Sequence, residues 1–216
     1  MASDPVILRN VEIMAQARRS LEGKWLFAAS SFAVYLVVEI ALSFVPLTLL
    51  ASLGVTLFLA GPFEFGMVSL ALALVGQGEA RFALVFDGFD GLRRLGTACL
   101  AYLLTATLIS IGFVFLLVPG VMAMVSYSMV FFVLAEHPES GPLEAMARSR
   151  ALVEGHRWQI LGFYLRFLGL YLLLGSLTLG LAFIWLIPYQ MVSLAELYRE
   201  LQRTEFDPGV SAVNGA

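Results

Sequence analysis

Four polar side chains lie inside long apolar stretches of this 216-residue sequence, and they are the residues most able to do chemistry. They are Glu39, Glu64, Arg166 and Gln190. Ionisable groups within a membrane cost at least a few kcal/mol each and usually face a bundle interior or a cavity. These residue types predict a polar intramembrane site, in which the carboxyls bind a proton or cation and Arg166 holds an anionic group.

Each of these residues also has a structural interpretation. Arg166 can extend its side chain to the headgroups, and Glu39 can hydrogen-bond a neighbouring helix. Glu64 is the strongest functional candidate because it follows Gly61-Pro62, and broken membrane helices often line binding sites. At 1.5 Å per residue, both carboxyls are expected roughly 20 Å from the cytoplasmic ends of their helices, in the outer half of the membrane.

Charged residues are nearly absent from three long stretches, residues 25–78, 95–135 and 158–195. The middle stretch contains no Asp, Glu, Lys or Arg. As one helix it would be roughly 60 Å long, about twice the hydrocarbon core of a bilayer, so it should cross, turn and cross back. The chain is 60% hydrophobic with a mean hydropathy of +0.87, well above the roughly 45–50% apolar usage of soluble domains.

The sequence therefore predicts an all-α, polytopic membrane protein with six transmembrane helices in three tandem hairpins, each preceded by a short interfacial amphipathic helix. The hairpins are residues 25–76, 95–135 and 158–198, within a membrane domain of residues 25–198. The predicted turns are near Pro46, Gly112 and residues 175–178, with Pro119-Gly120 as the alternative turn of the second hairpin. The remaining segments are a cytoplasmic amphipathic N-terminus (1–24), two cytoplasmic connections (77–94 and 136–157) and a cytoplasmic, partly disordered tail (199–216).

Basic residues set the expected orientation. All of the 13 lysines and arginines except Arg166 lie outside the apolar stretches, on what would be one side of the membrane. Because loops rich in Lys and Arg stay cytoplasmic, both termini are expected in the cytoplasm, with the protein in a bacterial inner membrane. The residues expected to anchor the interface are Lys24, Trp25, Arg93, Arg94, Arg157 and Trp158.

The segments before and within the hairpins resemble one another. Glu-Gly followed by a basic residue and Trp precedes the first and third hairpins, and Met-Val-Ser follows a proline in each returning helix, at Pro62, Pro119 and Pro188. These matches favour a threefold repeat with a proline-kinked second helix. The alternative is that Trp and Arg collect at interfaces in any case and that apolar sequence yields chance matches.

The segment before the second hairpin carries an apolar stripe at helical spacing. Read as an interfacial helix, it places these residues on one face: Phe82, Val85, Phe86, Phe89 and Leu92. Such a face is typical of a helix lying in the headgroup region.

The chain resembles the DUF975 family of bacterial integral membrane proteins. The resemblance rests on segments in the same order over roughly residues 10–200: residues 17–25, Gly61-Pro62, Phe86-Asp87-Gly88-Phe89, Pro119-Gly120-Val121, Ala147-Arg148-Ser149, residues 155–158, residues 185–189 and residues 195–198. It implies a six-helix inner-membrane protein, and it implies no activity because that family has none assigned.

Motifs of catalysis and of cofactor binding are missing from the sequence. The single cysteine, Cys99, excludes an intramolecular disulfide and a cysteine-based zinc site. No Walker loop, dinucleotide turn or Gly-x-Ser-x-Gly occurs, and the two histidines have no acidic residue at ligand spacing. We therefore expect no catalytic residues, no metal, no cofactor and no nucleic-acid partner.

Two functions fit these features. The first is a non-catalytic protein of the cell envelope whose partners are membrane lipids, another membrane protein or a second copy of itself. The alternative is a small transporter or channel for a small solute or ion, with its polar site at Glu39, Glu64 and Arg166.

Overall fold

The computed structural model describes residues 5–43, 49–76 and 79–206, and this part of the chain is all-helical, without a strand. It contains nine α-helices and one 3₁₀ helix. In chain order they are α1 (Pro5–Ser20), α2 (Trp25–Ser43), α3 (Leu49–Val75), the 3₁₀ helix (Phe82–Phe89), α4 (Leu92–Phe115), α5 (Leu117–Ser126), α6 (Val130–Glu136), α7 (Pro142–Val153), α8 (Arg157–Leu177) and α9 (Phe183–Phe206).

Four segments of the described chain are long and apolar enough to cross a membrane. They are Phe58–Val75, Leu92–Phe115, Leu117–Glu136 and Arg157–Leu177. The other two predicted spans are not among these four segments of the described residues. In α2 the qualifying apolar part is Trp25–Val34, and in α9 the apolar run ends before Glu196.

The break between α4 and α5 lies at Leu116, four residues after the predicted turn near Gly112 and three before the alternative at Pro119-Gly120. Leu116 has an extended backbone (φ −167°, ψ 154°). Gly112 and Gly120 instead pack on each other, since a Cβ on Gly112 would lie 2.8 Å from the Gly120 Cα. Pro119 is tolerated in the first turn of α5, where its missing N–H costs no helical hydrogen bond. The predicted turn at Pro46 lies outside the described residues.

A second interruption divides the returning helix of that hairpin. Residues 127–129 form a turn between α5 and α6. The Ser149 hydroxyl of α7 donates to the Ser126 carbonyl (2.9 Å) and accepts from the Met129 N–H (3.3 Å). Because this hydroxyl satisfies backbone groups that the turn frees, the chain can leave the helix inside the core.

Each of three short helices is followed by a glycine and then by a long helix. These glycines are Gly23, Gly91 and Gly155, with φ of 76°, 86° and 85°. They follow α1, the 3₁₀ helix and α7, and they precede α2, α4 and α8. Glycine adopts this left-handed backbone without a steric penalty, so each ends a short helix and redirects the chain.

The 3₁₀ helix packs tightly on α3. A Cβ on Gly66 would lie 2.0 Å from the Val85 carbonyl oxygen, and one on Gly88 would lie 2.1 Å from the Pro62 carbonyl oxygen. With three residues per turn, Val85 and Gly88 share a face. The predicted apolar stripe is therefore divided, because Val85 is fully buried whereas Leu92 is 88% exposed.

The core is concentrated where α3, α6, α7 and α9 meet, at the end of the bundle where α8 begins. Its members include Leu70, Leu74, Phe132, Leu134, Val153, Leu197, Tyr198 and Leu201. The Tyr198 hydroxyl donates to Glu136 (3.0 Å). Residues 199–206, predicted as the start of the tail, continue α9, and residues 207–216 lie outside the described part.

Candidate functional site

Two of the four predicted polar residues, Glu64 and Gln190, line one cavity of about 340 Å³. The other polar lining residues carry hydroxyl groups: Tyr102, Thr105, Tyr127, Ser128 and Tyr164. None of the lining residues is Lys, Arg or His. One carboxyl group thus shares the cavity with hydroxyl and amide groups in a wall that also contains apolar side chains, an arrangement able to bind a proton, a cation or a small polar molecule.

Two of these hydroxyls already donate to their own backbone. The Thr105 hydroxyl donates to the Ala101 carbonyl (2.8 Å), and the Ser128 hydroxyl donates to the Val125 carbonyl (2.8 Å). A hydroxyl that donates in this way keeps its oxygen lone pairs available as acceptors. The cavity wall therefore presents oxygen acceptors, which are ligands suited to a cationic or hydrogen-bond-donating molecule.

Glu64 is held in α3 beside Pro62, where neighbouring glycines allow other segments to approach. A Cβ on Gly61 would lie 2.5 Å from the Ala98 carbonyl oxygen, so α4 passes directly against α3. The guanidinium carbon of Arg94 lies 5.7 Å from the ring centroid of Phe65. Glu64 therefore lies in the part of α3 against which α4 packs, and the next residue, Phe65, contacts the predicted interfacial anchor Arg94. The depth of Glu64 in the membrane stays a prediction.

Gln190 is fixed by a hydrogen bond between α8 and α9. The Tyr171 hydroxyl donates to the Gln190 amide oxygen at 2.6 Å. The Tyr171 ring also packs on Phe183, with ring centroids 5.4 Å apart. Gln190 is thus a structural link between these two helices and a polar group in the cavity wall.

Arg166 lies in a different place from Glu64. It lines a groove of about 790 Å³ together with Arg18, Arg19 and Glu22 at the end of α1. Its Nη1 is 3.4 Å from the Gly162 carbonyl oxygen, one turn earlier in α8. The structure therefore brings Glu64 and Gln190 together and separates Arg166 from them.

Glu39, the remaining member of the predicted set, belongs to α2 (Trp25–Ser43). Its side chain lies outside what the structure describes.

The predicted interfacial anchors stand at the starts of three long helices. Lys24 is exposed directly before α2, and the Trp25 ring centroid is 6.1 Å from that of Tyr189. Arg157 is the first residue of α8, and Trp158 is 79% exposed. A large indole left this exposed beside a basic residue is typical of the membrane–water boundary.

The two arginines before α4 tie that helix to other segments. Arg94 forms ion pairs with Asp87 (2.9 Å) and Asp90 (3.4 Å). Arg93 donates to the Glu139 carbonyl (3.2 Å), in the connection between α6 and α7. Both side chains therefore fix local structure besides marking the start of a long helix.

Sequence reasoning used Arg18 and Arg19 to orient the chain and to support the repeat and the family resemblance, and it missed their place beside Arg166. The signal that identifies them is the periodicity of the helix. The groove-lining residues of α1 are spaced by three or four positions along one face: Val11, Met14, Ala15, Arg18 and Arg19. Glu22, which also lines the groove, lies in the turn that follows α1. The pairing of Tyr171 with Gln190 has no comparable signal, because it joins two helices.

The described part of the chain contains no group of three or more His, Cys, Asp or Glu side chains placed to hold a metal ion. His137 has an acidic neighbour, with Nδ1 3.4 Å from a Glu139 carboxyl oxygen.

The model of a family described as a protein of unknown function (DUF975) matches residues 106–205. The match covers the second half of α4 and nearly all of the chain from α5 to α9. No curated protein matches the chain, and no solved structure matches it.

Proposed function

We propose that this chain, whose residues 106–205 match the model of the DUF975 family, is a non-catalytic, multi-pass protein of a bacterial inner membrane. It binds lipid or a partner membrane protein. The observation that carries this proposal is the groove between α1 and α8, which combines three arginines with an apolar wall. Such a surface suits a ligand that has both a charged and an apolar part.

The proposed topology has six spans in three tandem hairpins, with both termini in the cytoplasm. Its support is the recurrence of a short helix, a glycine of positive φ and a long helix at Gly23, Gly91 and Gly155. The distribution of basic residues supports the orientation, because Lys and Arg are retained on the cytoplasmic side.

Thiol labelling tests this topology. In a Cys99→Ala background, Leu179→Cys and Arg203→Cys each provide one exposed thiol, since Leu179 is 96% exposed and the Arg203 side chain is 76% exposed. An impermeant maleimide should label Leu179→Cys in intact cells or spheroplasts, and Arg203→Cys only after the membrane is opened. Labelling of both residues from one side would contradict the six-span arrangement.

Binding is tested by native mass spectrometry of the full chain, gently solubilised from its own membrane. A retained lipid or second polypeptide supports the proposal. A species without ligand across several mild detergents contradicts it.

A second candidate function is transport of a small solute or ion, and the cavity that holds Glu64 and Gln190 favours it. Cation or solute flux into liposomes containing the purified chain tests this function. Glu64→Gln should lower the flux at least tenfold if the carboxyl binds the transported species, and exposed Glu154→Gln serves as the matched control. Flux that is absent, or equal in wild type and Glu64→Gln, removes this candidate.

A further inference from the structure

The groove between α1 and α8 has a charged end and an apolar end. Arg18, Arg19 and Glu22 stand at the end of α1 nearest α2. On α8 the groove is lined by Arg166 and then by apolar residues on the same helical face: Gly169, Leu170 and Leu173. Residues at this spacing lie one above another along a helix, so the apolar wall follows the axis of α8 away from the arginines.

The charges in the groove are uncompensated within the described part of the chain. Arg18, Arg19 and Arg166 have no carboxylate within ion-pairing distance there, in contrast to four other arginines. The paired arginines are Arg81, Arg94, Arg148 and Arg203. With one acidic residue, Glu22, against three guanidinium groups, the groove has a net positive charge.

The contacts of α1 bring the charged end of the groove close to a predicted interfacial anchor. Asn10 near the start of α1 donates to the Gln159 carbonyl (3.0 Å), and Ser20 at its end donates to Glu196 (2.8 Å). These contacts carry α1 across α8 and α9 at the end where α8 begins. Tyr189, which lines the groove, also packs on Trp25, the first residue of α2 and a predicted interfacial anchor.

We infer that this groove binds one anionic phospholipid of the cytoplasmic leaflet. The inference rests on the lipid binding proposed above and names its chemical class and site. The phosphate lies among Arg18, Arg19 and Arg166, which can each donate two parallel hydrogen bonds to it. An acyl chain lies along Gly169, Leu170 and Leu173.

The apolar wall favours a lipid over a soluble anion. Leu173 is 66% exposed and Leu172 beside it is 67% exposed, so the wall is open to the surroundings of α8 instead of closed around a small ligand. A Cβ on Gly169 would meet no atom within 4 Å. An acyl chain can therefore lie directly against the backbone of α8 at that position.

The test is retention of lipid by the full-length purified chain, exchanged into nanodiscs with equal amounts of phosphatidylglycerol and phosphatidylcholine and then analysed by native mass spectrometry. Phosphatidylglycerol should be retained at least tenfold over phosphatidylcholine. A single Arg166→Gln or Arg18→Gln change should reduce this ratio about fivefold, the effect of one basic residue near an anionic lipid surface. Arg203→Gln, on the exposed side of α9 outside the groove, should leave the ratio unchanged.

A steric variant tests the apolar part of the groove without changing the charge of the groove. Gly169→Phe fills open space in the apolar wall and keeps every arginine, so it should abolish retention without unfolding the chain, which circular dichroism checks. Retention equal to wild type in Gly169→Phe, or an equal loss in Arg203→Gln, overturns the inference.

The remaining outcomes distinguish this inference from the proposed function. Equal retention of both phospholipids overturns the choice of an anionic lipid and leaves lipid binding standing. Retention of a polypeptide in place of lipid also overturns the inference and leaves partner binding standing. If the chain retains no ligand from the nanodiscs or from its native membrane, both the inference and the proposed function are overturned.

Discussion

Replacing Gly66 by alanine should destabilise the packing of the 3₁₀ helix on α3. The new Cβ would lie 2.0 Å from the Val85 carbonyl oxygen and 2.9 Å from that of Leu84. Since ordinary contacts begin near 3.4 Å, the two segments would have to separate by roughly 1.4 Å. Both contacting groups are backbone and cannot rotate away, so the cost should reach about 3 kcal/mol, the upper end of the range for overpacked cores.

The free energy of unfolding of the full chain, measured by denaturant titration in mixed micelles, gives the readout. Gly96→Ala is the matched control, because Gly96 lies in α4 with open space around its Cβ position. There the substitution should stabilise the helix by about 1 kcal/mol through helix propensity. The two changes are chemically identical and should have effects of opposite sign.

One result would refute this reasoning. If Gly66→Ala has the same effect as Gly96→Ala, the 3₁₀ helix does not pack against α3. Residues 82–89 would then form the surface helix suggested by the sequence, with Val85 free to face lipid.

Three further changes test other contacts by the same titration. Ser149→Ala should cost about 1–3 kcal/mol, because it removes the hydroxyl that bonds backbone groups at the turn between α5 and α6. Phe89→Ala should cost about 2 kcal/mol, since its ring is 5.1 Å from that of Phe63 and half-buried, whereas exposed Leu92→Ala should cost under about 0.5 kcal/mol. Tyr171→Phe should cost about 1 kcal/mol by removing the donor to Gln190.

Each of these predictions has an outcome that contradicts it. Ser176→Ala controls for the serine change, because that exposed hydroxyl bonds only its own helix, and equal losses would mean that Ser149 does not support the turn. Equal costs for Phe89→Ala and Leu92→Ala would show that both side chains face the same surroundings. A Tyr171→Phe protein as stable as wild type would remove the link between α8 and α9.

The helical class and the starts of the long helices were predictable from local sequence. The signal is local, because a basic or aromatic residue stands within a few positions of the start of each charge-free run. As a result, α2 and α8 begin within one residue of the predicted spans, at Trp25 and Arg157. Glycine before each long helix was equally readable at Gly23 and Gly155, since the left-handed backbone favours that residue.

A turn within the second predicted hairpin was expected near Gly112 or Pro119-Gly120, but the exact positions of the two breaks depend on packing partners. The turn after Ser126 depends on a hydroxyl from α7, contributed by Ser149. The position of the other break, at Leu116, follows from the packing of Gly112 on Gly120. The length of the stretch predicted that it must turn, but periodicity within one helix contains no information about such partners and so does not give the residues at which the helix breaks.

The candidate site was likewise predictable only in part, since contacts between helices could not be read from the sequence. Counting residues gives an axial position along a helix, but it does not give the neighbours of that helix or the level at which the helix begins. This is why residue counting gave an axial position for Glu64 but not its neighbours in the cavity wall, which include Tyr164 and Gln190. It is also why Arg166 was grouped with a carboxyl, although its nearest cationic companions are on α1.

The separation of the two pockets makes the two proposed functions independently testable. Arg166 lines the groove and not the cavity, and Glu64 lines the cavity and not the groove. Glu64→Gln should therefore leave phospholipid retention at the wild-type ratio, and Arg166→Gln should leave any flux unchanged, because changes without shared contacts act independently. If Arg166→Gln instead lowers the flux as much as Glu64→Gln, the pockets are coupled. The coupling element would be α9, where Tyr189 lines the groove and the next residue, Gln190, lines the cavity.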